Sequence, residues 1–65
     1  MLFYVETGIG CSIEYGRKGS ENKVRERVLR EVGTYNGVKR IREATKDDIA
    51  WVQAMGGYIP KGRNL

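Results

Sequence analysis

The chain has one thiol, Cys11, and no histidine. That excludes a serine or cysteine nucleophile activated by an imidazole. It also excludes an internal disulfide and removes the commonest metal-binding sets. No neighbour in sequence would activate Cys11, so the thiol reads as a small packed hydrophobe. Carboxylates for acid–base work would have to come from Glu6, Glu14, Glu31 or Glu43, and their spacing singles out no pair. Asp47 and Asp48 are adjacent, but a helix cap accounts for both. Gly8-Ile9-Gly10 follows an apolar run, as a dinucleotide fingerprint would. No helix opens at once and the third glycine is misplaced, so a hairpin turn explains it better. The expectation is a chain that is not an enzyme, with no catalytic residue, no cofactor, no metal and no small-molecule substrate.

The side chains that remain are bases and aromatics. There are 12 Lys and Arg against 8 Asp and Glu, a net charge of +4 and a pI of about 9.5. The excess is concentrated in residues 17–42, which carry nine bases and three acids. Arg17 and Lys18 precede a helical segment at its positive end, where they do not serve the helix dipole. Within that segment Lys23, Arg27 and Arg30 fall inside about 60° of one another at 100° per residue, and Lys39, Arg40 and Arg42 follow. These eight bases are candidates for contacting phosphates. A solvated helix face neutralised by Glu26 and Glu31 explains them as well. No zinc-finger spacing or aromatic sheet motif of the RNA-binding kind accompanies them.

A second candidate surface lies on the helix predicted after Thr45. Ile49, Val52 and Met55 form one apolar stripe; Ala50, Trp51 and Ala54 form a neighbouring one. A helix docked by one face needs only about 100° of apolar arc. The surplus includes a tryptophan, the side chain most enriched at binding hot spots. Either Trp51, Ala54, Met55 and Tyr58 meet a partner or a second copy of the chain, or Trp51 tucks under Tyr58-Ile59-Pro60.

The elements that must position these residues follow from periodicity. Leu2–Thr7 is aromatic and β-branched and reads as a strand. Both of its faces are partly apolar, as in a strand buried on two sides. Residues 11–15 alternate and read as its hairpin partner. Ser20 is placed to cap a helix from Glu21 to Val32, with Val24, Val28, Leu29 and Val32 on one face and Gly33 as its stop. Asn36-Gly37 marks a turn. Val38–Glu43 reads as a charged edge strand with an odd apolar spacing of three. Thr45-x-x-Asp48 resembles a capping box for a helix that ends at Gly56-Gly57. The expected fold is α+β: a small single domain over residues 1–60, β-β-α-β-α, with two helices on one face of a mostly antiparallel three-stranded sheet. Residues 61–65 read as a flexible tail.

A chain of 65 residues lies below the roughly 70–80 at which a single core suffices without a staple. With neither disulfide nor metal to hand, a host partner or a homodimer is the expected staple. No apolar run approaches the roughly 18 residues of a membrane span, and Leu2–Val5 lacks the basic region of a signal peptide. A lone cysteine without a secretory signal fits the cytoplasm.

The run Ala44-Thr45-x-x-Asp48-Ile49-x-Trp51-Val52-x-Ala54-Met55-Gly56-Gly57-x-Ile59-Pro60 resembles the ending of small uncharacterised proteins encoded by bacteriophages and prophages. The resemblance implies an accessory phage protein and carries no activity or catalytic residue with it. The functional expectation is a protein-binding module that modulates or inhibits a host protein. The alternatives are a basic nucleic-acid-binding protein and a small oligomeric structural protein.

Overall fold

The computed structural model describes residues 1–33 and 37–60. The expected tail and Asn36 of the expected turn lie outside the described residues. The elements are β1 (Leu2–Thr7), β2 (Gly10–Tyr15), α1 (Glu21–Val32), β3 (Val38–Glu43) and α2 (Lys46–Ala54). They form a small α+β domain with an antiparallel sheet in the order β2-β1-β3. The central position of β1 explains why both of its faces are apolar.

The expectation of two helices on one face is wrong. The register puts Phe3, Val5, Ser12, Glu14 and Ile41 on one face, and Leu2, Tyr4, Glu6, Cys11, Ile13, Arg40 and Arg42 on the other. On the first face α1 buries Val24 and Val28 against Phe3 and Val5. On the second, α2 packs on β2, and Ile13 and Val52 are buried there, apart from the first cluster. The reason is that the second face is apolar as well: Ile13 is buried there beside Leu2 and Tyr4, and α2 covers it with Val52.

The apolar spacing of three in β3 also has a cause. Glu6 pairs with Arg40 and Thr7 with Val38, which makes Lys39 the extra residue of a β-bulge. The bulge resets the alternation, so Val38 and Ile41 both pack on the α1 cluster.

Caps end the helices as expected, with one exception. Thr45 Oγ1 accepts from Asp48 N at 3.1 Å, and Thr45 N donates to Asp48 Oδ2 at 2.8 Å, a complete capping box. Gly33 N closes α1 on Leu29 O at 2.8 Å, with Gly33 at φ 84°. Ser20 occupies the cap position at ψ 28°, outside the extended region that aims a cap hydroxyl forward. Its hydroxyl donates backward to Arg17 O at 2.6 Å.

Gly16 lets α1 close onto the sheet. A Cβ there would meet Val24 Cγ2 at 2.7 Å, Ser20 Oγ at 2.8 Å and Phe3 Cε2 at 3.2 Å. Gly16→Ala is expected to cost ~1–3 kcal/mol by overpacking. Urea unfolding should show a lower midpoint at unchanged slope.

Candidate protein-interaction surface

The start of α2 is fixed to the sheet through one arginine. Arg42 on β3 donates from Nη1 to Asp48 Oδ2 at 2.5 Å and from Nη2 to Asp48 Oδ1 at 2.9 Å. Its guanidinium also lies 4.7 Å from the centroid of the Tyr4 ring. Arg42 and Thr45 hold the Asp48 carboxyl at a pKa of about 2. The Tyr4 hydroxyl is pushed above its ordinary range, first by burial and then by its contact with Cys11.

From that anchor α2 crosses the sheet toward the β1–β2 hairpin. Val52 is buried and Ile49 half-buried, so the first apolar stripe does dock. The second does not: Ala50, Trp51 and Ala54 are exposed. Trp51 is 58% exposed, Met55 52% and Tyr58 78%. With both aromatics this open, Trp51 is not sealed under the segment that follows the helix. That segment turns at Gly56 (φ 85°) and returns so closely that Gly57 N bonds Val52 O at 2.9 Å.

Trp51 and Met55 form one wall of an open cleft of about 370 Å³. The floor and opposite wall come from Tyr4, Glu6 and Cys11 on the sheet, with Thr7 and Gly10 at the hairpin end. Sequence reasoning identified the helical wall and missed the sheet wall. The signal was present in part. A two-residue turn at Gly8-Ile9 sets Tyr4 and Glu6 on the same face as Cys11, which follows once the hairpin register is written out.

The structure does not gather the eight bases on one surface. Arg17 and Lys18, in the β2–α1 connection, and Lys23, Arg27 and Arg30, on α1, are exposed on the α1 side. Arg40 and Arg42 pair with Glu6 and Tyr4 on the opposite face, and Lys39 is the bulge residue. Two of the eight have structural work. Arg42 ties down α2, and Arg27 donates to Tyr15 O at 2.7 Å and lies 3.5 Å from Glu14 Oε1. Among the described residues, no group of three or more His, Cys, Asp or Glu comes together, and no helix is long and apolar enough to cross a membrane.

No protein-family model, no curated protein and no solved structure matches the chain.

Proposed function

We propose that the protein is a non-enzymatic binding module whose α2 surface docks a host protein. In keeping with the phage-like run that contains α2, it acts as an accessory phage protein inside a bacterial cell and modulates or inhibits that partner. The observation that carries this reading is a tryptophan and a methionine, each more than half exposed, standing over an open cleft. Large exposed apolar side chains grouped beside a concavity are the usual form of a protein-interaction site.

Ala54 gives the cleanest test because it is exposed beside Trp51 and Met55. Ala54→Glu should leave the circular dichroism spectrum unchanged. Immobilised wild-type chain should retain a defined protein from nuclease-treated bacterial lysate, and the variant should lose it. Equal retention by the two chains would remove α2 from the interface.

Nucleic acid is the second reading, favoured by Arg17, Lys18, Lys23 and Arg30. All four are exposed, and among the described residues none of them holds a salt bridge. Under this reading capture disappears with nuclease, and binding falls steeply with salt.

A further inference from the structure

The outer edge of β2 is open, and its chemistry selects an occupant. Met1 N donates to Gly16 O at 2.8 Å and Gly16 N to Met1 O at 3.0 Å, a doubly bonded pair at the end of the β1–β2 ladder. Antiparallel pairs alternate, so Phe3–Glu14 and Val5–Ser12 are bonded pairs, whereas Leu2–Tyr15, Tyr4–Ile13 and Glu6–Cys11 are not. Leu2 O accepting from Ala44 N on the other side, at 2.9 Å, has the same phase. The backbone N–H and C=O of Cys11, Ile13 and Tyr15 therefore point away from β1. Arg27 occupies Tyr15 O. Among the described residues, nothing bonds the outward groups of Cys11 and Ile13. The other edge is protected: β3 carries Lys39, Arg40, Arg42 and Glu43 and a bulge, devices that oppose strand addition. Between Gly10 and Tyr15 the only charged side chain is Glu14.

Beside this edge, on the α1 side, lies a cavity of about 230 Å³ whose lining includes Ser12, Glu14, Val28, Glu31 and Val32. A residue paired opposite Ser12 on an added strand would direct its side chain there. It would meet apolar valines, the exposed carboxylate of Glu31 and that of Glu14, which already takes Ser12 Oγ at 3.0 Å and lies 3.5 Å from Arg27. That setting suits a long cationic side chain with an aliphatic stem.

We propose that the β2 edge takes an extended segment of a partner protein by strand addition, with a Lys or Arg opposite Ser12. Its stem lies along Val28 and Val32, and its charge meets Glu31, with Glu14 shared with Arg27. The segment satisfies both outward groups of Cys11 and of Ile13. A second copy pairing β2 with β2 would bring Gly10–Tyr15, which holds no Lys or Arg, and so supplies no cation for this position. This site uses the outward backbone of Cys11, whose residue also lines the cleft under Trp51, and it does not require a partner on α2.

The test is amide exchange by NMR on the full chain, with two blocked synthetic peptides, Thr-Val-Lys-Val-Thr and Thr-Val-Glu-Val-Thr. At ~1 mM, a concentration suited to a weak short ligand, the lysine peptide should slow exchange at Cys11 and Ile13 about tenfold. The glutamate peptide should not. Glu31→Lys, an exposed change on α1, should weaken the lysine peptide about tenfold through charge reversal, with the circular dichroism spectrum unchanged. No protection, equal protection by both peptides, or full binding by Glu31→Lys would overturn the proposal. So would protection before any peptide is added. If that protection were independent of concentration, the chain itself would cover the edge; if it rose with concentration, a second copy would. Ala54→Glu leaves this edge intact, so the peptide result stands or falls independently of the α2 surface.

Discussion

Phe3→Ala is expected to abolish cooperative folding. Phe3 is completely buried at the centre of the cluster with Val5, Val24 and Val28. Truncating a buried phenylalanine costs ~3–5 kcal/mol. A single core in a chain this short supplies about that much in total. The variant should show no sharp urea transition and no fixed tertiary signal. Ile9→Ala is the control: Ile9 is 66% exposed at the hairpin tip, so its change should stay within ~0.5 kcal/mol. A cooperative Phe3→Ala transition near the wild-type midpoint would mean that α1 is not seated on this face.

The second large effect is expected at Asp48, because one carboxylate serves two connections. It completes the capping box with Thr45 and receives both guanidinium nitrogens of Arg42. Asp48→Ala should therefore release the start of α2 from the sheet. Thr45→Ala removes only the hydroxyl half of the cap, a loss of ~1 kcal/mol, and should be the milder variant. The pH dependence has a definite sign. The folded-state pKa of Asp48 is about 2, below its ordinary 3.8, so the unfolded chain binds the proton more readily. Its contribution is complete above the ordinary value and is lost as pH falls through about 2. The stability difference between wild type and Asp48→Asn should accordingly shrink between about pH 5 and pH 2. A difference that grew on acidification would contradict the Arg42 pairing.

The strands and helices were legible because each carried its own local signal. Thr45-x-x-Asp48, Gly33 and Gly56-Gly57 marked helix boundaries through backbone chemistry that needs no tertiary context. The layer arrangement was legible too, in the paired apolar faces Phe3/Val5 and Leu2/Tyr4 of β1. Placing both helices together ignored that signal. The bulge at Lys39 was not legible, because it exists only relative to Glu6 and Thr7 on the neighbouring strand. The helical half of the cleft was visible as the excess apolar arc of α2. The sheet half, Tyr4, Glu6 and Cys11, depends on pairing register, and the division of the bases between two faces depends on it as well.

Trp51 is the chain's only tryptophan, so its environment reports directly on the proposed docking of a partner to α2. The decisive measurement is acrylamide quenching of Trp51, first in the free chain and then in complex with the protein retained from nuclease-treated lysate. Because the partner's own tryptophans also emit, Trp51 is labelled with 5-fluorotryptophan and the accessibility of its fluorine resonance, which the partner lacks, is followed in the complex. The structure predicts efficient quenching in the free chain and strong protection in the complex. Trp51 shielded in the free monomer, or equally quenched in the complex, would contradict it.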